Sequence, residues 1–555
     1  QLRHFWPGRH GGADPPEVLD SKLPLIRPLA RSLPGGYKHT PSKDIADAIE
    51  WAKVRRIPPS EWEQQAPPDR APIPADLFAR VYAGYERAKE RAHRVDFEDM
   101  LALTVELLES DDNAAQLVQS QKTWISVDEY QDTNPLQERL LELWIGESRD
   151  LAVVGDPDQT IYTFTGATPE YLLRFADRHP GARTIVLTEN YRSTPQVLEL
   201  ANRLTAGGPR GALTTSRPAG PEPTIHRFAG PEVEINALVA GIQRLIASGV
   251  AKSEIAVLVR INAQLPPIEE ALTRAGIEYT VRGQRFYQRS EVREARQVLA
   301  RAKLEQAGAA LVDAVRRLFA ERLGYVAGAE TVGEEAHERA ASLELLLTIA
   351  SDLVEANADA GVADLTAELD RRDAAESAAQ GVGVNLLTYH RAKGLEWDAV
   401  FLPQVEEGTL PIRQAKTDEQ VAEERRLLYV GITRARTHLA LSWSRKPSRF
   451  LAEIRPRSAS VRVIPEVRPP SDASASPLLE ALQLWRRERA KQDGVPAYVV
   501  AHDAMLAAIA DDRPNSMAQL RRVRGMGPVK LDQYGPEILA IVAGNRPMSN
   551  ERSTT

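Results

Sequence analysis

The stretch "WISVDEYQDTN", residues 124–134, is a short apolar run that ends in carboxylates. Its β-branched and aromatic residues predict a buried strand, and Asp128 and Glu129 follow that strand directly. In parallel α/β sheets, ligands bind beyond the carboxyl ends of the strands. Carboxylates at such a place hold Mg²⁺ or orient and deprotonate an attacking water. A solvated strand end followed by a turn is the alternative, and an isolated Asp-Glu pair alone favours it.

A second strand end of the same kind follows in "LAVVGDPDQTIYTFTGA", residues 151–167. The apolar run again breaks into polar residues, and Gln159 is placed to sense a terminal phosphate or to position a water. After a third apolar run, "LTENYRST" (187–194) offers Tyr191 and Arg192. Arginine presents a planar fork to phosphate, and tyrosine presents a ring face to a base. Together these segments favour a nucleotide site over a solvated strand end.

Composition limits the possible functions of the 555 residues. Hydrophobic residues make up 43% and charged residues 26%, as in ordinary globular proteins of several domains. The absence of cysteine excludes disulfides, thiolate metal sites and iron–sulfur clusters. No apolar run approaches the length of a membrane span, and no signal peptide is recognisable, so a cytosolic protein is expected. The net charge of -7 excludes a wholly basic surface but permits a local basic channel.

Apolar runs that alternate with helical patterns predict parallel sheets buried on both faces. Two such series, on either side of residue 215, predict an α/β protein with two sheet domains. In the second series, Arg434 lies on a predicted helix in "EERRLLYVGITRARTHLALSW" (423–443), where a solvated helix face is the alternative interpretation. An arginine from a second domain is a standard part of phosphoryl-transfer sites. The predicted strands cover residues 124–127, 151–155, 184–188, 255–259, 384–388, 399–403 and 438–443.

Six segments in a fixed order carry a resemblance to a known family. They are "DFEDML", "VDEYQDTN", "VGDPDQTIYTFTGA", "LTENYRST", "TYHRAKGLEWDAVFLP" and "EERRLLYVGITRAR", between residues 96 and 436. In this order the set resembles superfamily 1A DNA helicases of the UvrD/Rep/PcrA type. The resemblance implies two RecA-like parallel-sheet domains, ATP and Mg²⁺ as cofactors, and single-stranded DNA and single-strand/double-strand junctions as partners. Movement from 3′ to 5′ in DNA repair or replication is the family precedent.

The resemblance also implies residue roles. Asp128 resembles the Mg²⁺ carboxylate, Glu129 the general base, and Gln159 the residue that couples the γ-phosphate to DNA. The implied nucleotide contacts are Tyr191 (adenine), Arg192 (γ-phosphate), Gly394, Glu396 (sugar) and Arg434 from the second domain; Arg192 and Arg434 are also implied to be catalytic.

Single-stranded DNA is expected to meet aromatic side chains, which stack on bases without reading sequence. Phe164 stands where the family usually has Trp, and Tyr162 precedes it; His390 is expected to link nucleotide state to the strand. "TFTGA" departs from the commoner "GWRGA", so that Thr165 replaces an arginine. Base stacking by Phe164 is expected to survive this change.

The phosphate-binding loop GxxxxGK[ST] is missing, because the sequence contains no Gly-Lys dipeptide. Two explanations compete: an N-terminally truncated helicase, which the start at Gln1 favours, or a degenerate protein without ATPase function. Retention of Asp128, Glu129, Gln159, Arg192 and Arg434 favours truncation, with this chain inactive alone. The rivals from other classes are the motor part of a helicase–nuclease and a non-catalytic DNA-binding scaffold.

The carboxyl-terminal segment, residues 477–546, resembles an HRDC domain, an all-α auxiliary module of RecQ-type helicases. "VRGMGPVK" (523–530) resembles a helix–hairpin–helix element with a turn at Gly525 and Gly527. Asn515 or Ser516 is the expected helix N-cap. Arg521, Arg524 and Lys530 are the DNA-binding candidates, and an ordinary charged surface is the alternative.

The expected organisation has six parts. A helical accessory region (1–95) precedes the remainder of the first RecA-like domain (96–215). The second RecA-like domain (216–300 and 382–453) contains a short helical insertion (301–381). A linker (454–476) leads to the HRDC-like domain. A bacterial, nucleoid-associated location in the cytoplasm, contacts with repair proteins, and no membrane contact are also expected.

Overall fold

The computed structural model describes residues 2–9, 14–68, 70–122, 124–206, 208, 211–282, 285–329, 331, 333–378, 382–454, 477–493, 500–501, 503–521, 523, 526 and 528–544. Residues 455–476 of the predicted linker, Arg524, Gly525 and Gly527 lie outside the described residues.

The amino-terminal part of the chain is helical because apolar residues recur there every three or four positions. Ile26, Ile45, Phe78 and Tyr85 come from three helices and are all buried in one core. Two short strands, β1 (Glu17–Val18) and β2 (Arg94–Val95), pair in parallel at its edge. The helices are α1 (Leu2–Arg9), α2 (Leu23–Arg31), α3 (Ser42–Lys53), α4 (Trp62–Gln65) and α5 (Ala75–Arg91).

A buried ion cluster joins these helices to the next one, α6 (Phe97–Ser110). Asp96 caps α6 by accepting from the backbone N–H of Asp99 at 2.8 Å. The Nζ of Lys53 lies 2.6 Å from the Asp96 carboxylate, and Lys89 also contacts it. Burial opposes ionisation of Asp96, but the two lysines outweigh it and hold its pKa well below the usual range. Glu86, Asp96 and Asp99 therefore form a lysine-neutralised structural cluster.

Two of the predicted strands form the first parallel pair. β3 (Ile125–Val127) pairs with β4 (Leu151–Val153), with Ile125 opposite Leu151. The connection between them contains α8 (Pro135–Ile145), which begins with a capping box between Asn134 and Gln137. Helices α6 and α7 (Asp112–Ser120) pack with α8 in a common apolar core. This arrangement places the polar segments after β3 and β4 beside each other.

The strand predicted at 184–188 was wrong. Among the described residues, pairing near it is limited to an isolated bridge between Glu189 and Thr214. Ile185 and Leu187 are 67% and 73% exposed. An extended apolar segment becomes a strand only where a neighbour offers a run of backbone N–H and C=O groups. Among the described residues, residues 184–188 receive a single such bond, from the Thr214 N–H to the Thr188 oxygen at 2.8 Å. The flanking helices are α9 (Glu170–Leu173), α10 (Phe175–Arg178) and α11 (Pro195–Leu204).

A six-stranded, wholly parallel sheet confirms the second predicted α/β region. Its strand order is β5-β10-β9-β6-β8-β7, and every residue of β6 and β8 is buried. The strands are β5 (Thr224–Arg227), β6 (Ile255–Val259), β7 (Tyr279–Val281), β8 (Val384–Thr388), β9 (Trp397–Leu402) and β10 (Ala435–Trp443). The helices that accompany it are α12 (Pro231–Ala247), α13 (Leu265–Arg274), α14 (Ser290–Arg301), then α18 (Tyr389–Ala392), α19 (Asp418–Thr433) and α20 (Phe450–Ile454).

The segment between β7 and β8 is helical, with α15 (Ala309–Leu323), α16 (Glu334–Ala356) and α17 (Val362–Ala378). Near the carboxyl end, the described helices are α21 (Pro477–Asp493), followed by Asp503–Asp512, Met517–Leu520 and Pro528–Val542. Ser516 caps Met517–Leu520 by accepting from the Gln519 N–H, which confirms one of the two expected N-caps. No helix in the described part of the chain is long and apolar enough to cross a membrane.

The chain divides into two compact units. The first contains residues 1–298, 317–346 and 370–466, and therefore holds all three parallel sheets of the described residues. The second contains residues 299–316, 347–369 and 467–555.

Candidate functional site

The carboxylates after β3 are exposed and are oriented by an unusual backbone conformation. Glu129 has φ +50° and ψ +38°, in the left-handed region that costs a non-glycine residue about 1–3 kcal/mol. The Glu129 N–H donates to Oδ1 of Asp128 at 2.8 Å, which helps to hold this turn. The two adjacent carboxylates thus leave the strand end towards solvent.

Gln131 connects the ends of the two first-sheet strands. Its side chain is fully buried, and its Nε2 donates to Glu129 at 2.5 Å. Its Oε1 accepts from the backbone N–H of Asp156 at 3.0 Å. A Cβ at Gly155 would lie 2.4 Å from that same Oε1, so any other residue there would displace the Gln131 side chain. The position of Glu129 is therefore tied to the loop that carries Gln159.

Gln159 lies between groups from the two sheet regions. Its Nε2 donates to Oδ2 of Asp156 at 2.9 Å, and the Tyr429 hydroxyl donates to the same oxygen at 3.3 Å. From the second region, Nη2 of Arg434 donates to Oε1 of Gln159 at 3.4 Å. Arg434 is only 1% exposed; burial and the nearby Arg192 lower its pKa to about 10. Gln159 of the first sheet region and Arg434 of the second are thus in contact.

Lys393 is the main residue of this site that the sequence reasoning missed. Its Nζ forms an ion pair with Asp132, lies 3.5 Å from Oε2 of Glu129, and donates to the backbone oxygen of Gln159 at 2.8 Å. It also lies 5.3 Å from the centre of the Tyr162 ring. Burial raises the pKa of Asp132, and the ammonium of Lys393 partly offsets this. One cation thus contacts both the strand-end carboxylates and the aromatic loop.

Arg192 and Glu396 also meet across the two regions as an ion pair. Arg436 lies 3.4 Å from the other oxygen of Glu396, so that this carboxylate contacts two guanidinium groups. Gly394, close by in sequence, has φ +80°, a conformation that L side chains rarely adopt. Tyr191 is 72% exposed, and its hydroxyl donates to Glu189 at 2.8 Å. The Tyr191 ring is accessible to a planar ligand.

The aromatic candidates lie together at a short 3₁₀ turn, Thr163–Thr165. The ring centres of Tyr162 and Phe164 are 6.2 Å apart, and that of His390 lies 6.1 Å from Phe164. The Tyr162 hydroxyl donates to the backbone oxygen of His390 at 3.3 Å. From α19, Glu423 accepts from the Thr163 backbone N–H at 3.1 Å. Both sheet regions therefore hold this turn.

The environment of His390 is polar and buried. Its Nδ1 lies 3.7 Å from Glu334, at the start of α16. Burial lowers the pKa of His390 to about 4, although Glu334 raises it in part. The Glu334 carboxylate also accepts from Nη1 of Arg260 at 2.9 Å, and Arg260 makes a second buried ion pair with Glu424 at 2.9 Å. His390 is accordingly neutral near pH 7.

The carboxyl-terminal candidates belong to the second unit. Arg521 is exposed at the end of Met517–Leu520. Lys530 is half-buried in Pro528–Val542, and burial lowers its pKa. Arg524 lies outside the described residues. These positions form part of a helical surface.

The residues after β3 fit a hydrated Mg²⁺, because Asp128 and Glu129 supply the hard carboxylate oxygens that this ion prefers. The set Gln159, Arg192 and Arg434 supplies donors suited to the terminal phosphate of a nucleotide. Gly-x-x-x-x-Gly-Lys, which would hold the β-phosphate, does not occur in the sequence. The residues present thus fit the metal and the γ-phosphate.

Comparison with known proteins gives three matching domain families. The "UvrD/REP helicase N-terminal domain" matches residues 20–180, the "UvrD-like helicase C-terminal domain" matches 185–322 and 302–446, and the "HRDC domain" matches 476–542. The chain is 41% identical to ATP-dependent DNA helicase UvrD2 of Mycobacterium tuberculosis (strain ATCC 25618 / H37Rv), over 98% of this chain and 85% of that protein.

Two further relatives are more distant. ATP-dependent DNA helicase PcrA of Leuconostoc citreum is 31% identical, over 69% of this chain and 63% of that protein. DNA helicase II of Escherichia coli (strain K12) is 30% identical, over 79% of this chain and 73% of that protein. The chain therefore belongs to the UvrD-like helicase family and carries a carboxyl-terminal HRDC domain.

Proposed function

We propose that the complete protein is an ATP-dependent DNA helicase that moves along single-stranded DNA, in the 3′ to 5′ direction. The observation that carries this proposal is the contact between Arg434 of the second sheet region and Gln159 of the first. A phosphoryl-transfer site that takes groups from two sheets couples the state of its ligand to the separation of those sheets. Such a coupling is what a translocating motor requires.

The proposed residue roles follow from position and chemistry. Asp128 binds Mg²⁺, and Glu129 takes a proton from the attacking water. Gln159, Arg192 and Arg434 surround the terminal phosphate, where a guanidinium stabilises developing negative charge. Bound Mg²⁺ with ATP would supply the reactive phosphoryl group and neutralise its charge. The Tyr191 ring faces the base, and Gly394 and Glu396 lie on the nucleotide-binding loop.

Single-stranded DNA is proposed to pass the turn that carries Tyr162 and Phe164, with His390 beside it. The ring of Phe164 stacks on a base, which makes binding tolerant of sequence. Arg521, Arg524 and Lys530 of the HRDC domain add contacts to phosphate at single-strand/double-strand junctions. We propose that the protein acts in DNA repair or replication and contacts repair proteins. Its proposed location is the bacterial cytoplasm, in association with the nucleoid.

The proposed organisation keeps the six parts expected from the sequence, with domain boundaries at 95, 215, 300, 381, 453 and 476. We also propose that these 555 residues alone do not turn over ATP, because they lack Gly-Lys. The second candidate function, a DNA-binding scaffold without catalysis, rests on that same observation. A helicase–nuclease is less favoured, since its nuclease domain usually carries cysteines and this chain has none.

The test is Glu129→Gln in the complete protein, measured as Mg²⁺-dependent ATP hydrolysis with saturating single-stranded DNA. Loss of a general base lowers turnover by about 100-fold or more, while nucleotide binding is retained. Glu106→Gln, an exposed position on α6, is the matched control and should leave turnover unchanged. Normal turnover in Glu129→Gln would contradict the assignment of the base. DNA binding without any ATP turnover in the complete wild-type protein would favour the scaffold.

A further inference from the structure

Two arginines lie against one tryptophan ring at the end of α3. The guanidinium carbon of Arg55 is 4.0 Å from the centre of the Trp51 ring, and that of Arg70 is 5.0 Å from it. The face of an aromatic ring attracts a cation, and the contact restricts the orientation of that cation. The Trp51 ring itself packs edge-on against Trp62, at 6.1 Å between centres. Both guanidinium groups are therefore held in place by a rigid support.

Neither arginine forms an ion pair within the described residues; their hydrogen bonds go to backbone oxygens, and the carboxylates of Asp47 and Glu423 act on Arg70 from beyond ion-pair distance. Burial lowers the pKa of both groups, that of Arg70 to about 10. The Nε of Arg70 is also buried without a hydrogen-bond acceptor in the described part of the chain. Holding two desolvated cations near each other is unfavourable unless an anion binds between or beside them. The arrangement suits an anionic ligand.

The pair borders the turn that carries Phe164. Arg70 donates from Nη2 to the backbone oxygen of Phe164. A Cβ built on Gly166, at the end of the same turn, would lie 2.9 Å from Nη1 of Arg55. The intervening residue, Thr165, brings no charge of its own. The two arginines thus place positive charge beside an aromatic ring that is proposed to stack on a base.

We propose that Arg55 and Arg70 form a phosphate-binding subsite for single-stranded DNA beside Phe164, with Trp51 as their support. This inference rests on the proposed function. Stacking on Phe164 fixes one base, and the neighbouring backbone phosphate then lies within reach of the two guanidinium groups. The amino-terminal helical region thus supplies the positive charge for this part of the single-strand path. The adjacent turn supplies none, because its own residue at this place is Thr165.

The test measures binding of a fluorescein-labelled oligo(dT) to this chain by fluorescence anisotropy, over a range of salt concentrations. The double variant Arg55→Gln/Arg70→Gln loses two phosphate contacts, so the slope of log K against log salt becomes shallower by about 1.4. Affinity falls about 25-fold at 0.1 M salt by the same relation. Arg55→Lys/Arg70→Lys keeps both charges and restores most of the slope.

Arg56→Gln is the matched control, because Arg56 is adjacent but exposed and pairs with Glu109 at 3.1 Å. Its slope and affinity should equal those of the wild type. An unchanged slope in the double glutamine variant would overturn the subsite, even with weaker binding, since that result indicates a purely structural role. Failure of the wild-type chain to bind oligo(dT) at any salt concentration would overturn the subsite and the proposed single-strand path past Phe164, whereas ATP turnover in the complete protein tests the proposed function separately.

Discussion

Lys393 is the residue whose contacts connect the two parts of the candidate site. It touches Asp132, Glu129 and the backbone of Gln159, and its ammonium also approaches the Tyr162 ring. Movement of the aromatic turn by bound DNA would therefore move a charge that faces the proposed general base. We interpret Lys393 as a positioning residue that transmits DNA binding to the ATP site.

Lys393→Met is expected to reduce the stimulation of ATP turnover by DNA by about fivefold or more, since coupling between sites typically has this size. The measurement is the ratio of turnover with and without single-stranded DNA, in the complete protein. Lys393→Arg should restore part of the ratio, and Lys446→Met, at an exposed position, should not change it. An unaltered ratio in Lys393→Met would show that the ion pairs are only structural.

Sequence reasoning found the ends of this network but missed its centre. Asp128 and Glu129 follow β3 directly, and Gln159 lies in the turn after β4; two such polar segments at neighbouring strand ends indicate a ligand site, although one alone does not. Lys393 is a single lysine in a polar loop, and its partner Asp132 is 261 residues away in sequence. A charge that acts across two sheets leaves no local pattern, so only the folded arrangement reveals it.

At the scale of elements, the first turn of α16 places the Glu334 carboxylate beside His390. The groups that face His390 are Glu334, Arg260, Glu424 and Lys43. The folded state holds the imidazole neutral, with a pKa lowered from 6.5 to about 4 by burial. The unfolded state binds a proton at higher pH than the folded state does. Stability from this site is therefore present above pH 6.5 and is lost as the pH falls towards 4.

His390→Gln should make the protein less sensitive to acid. Between pH 7 and pH 5, the free energy of unfolding of the wild type should fall by about 2 kcal/mol more than that of the variant. Urea unfolding at both pH values measures the difference, and His438→Gln, at a less buried histidine, serves as the comparison. If the free energy of unfolding falls equally in the wild type and in His390→Gln, protonation of His390 does not destabilise the folded state.

The elements themselves differ in how well the sequence predicts them. β6 and β8 are buried throughout and were predicted from their continuous apolar runs. β5 and β7 are short and partly exposed, lie at the two edges of the sheet, and carry no such run. The apolar segment at 184–188 has the composition of a strand, but in the described part of the chain it receives one backbone hydrogen bond, from Thr214 to Thr188, and forms no ladder. The amino-acid composition of a segment therefore predicts the central strands of a sheet. Whether a segment becomes an edge strand depends on backbone pairing with a neighbour, which composition does not reveal.

At the scale of the whole molecule, the HRDC domain has a core of its own. Among the described residues, every member of its buried apolar cluster lies between residues 482 and 541. Trp485 is 5% exposed, packs edge-on against Tyr534 at 5.8 Å, and donates from Nε1 to Glu537 at 2.7 Å. The adjacent Leu484 is 56% exposed. A change in this core should therefore act on the unit that contains the HRDC domain together with residues 299–316 and 347–369, and not on the sheets of the first unit.

Trp485→Ala should destabilise the HRDC domain by about 3–5 kcal/mol, because it leaves a cavity and removes a buried hydrogen bond. Leu484→Ala should change its stability by less than about 0.5 kcal/mol. Hydrogen exchange of amides in residues 528–542 should accelerate by about 150-fold or more in Trp485→Ala, since exchange through global opening follows the loss of free energy. Amides of β6 and β8 should exchange at the wild-type rate. Acceleration in those strands as well would show that the two units unfold together, with one common stability.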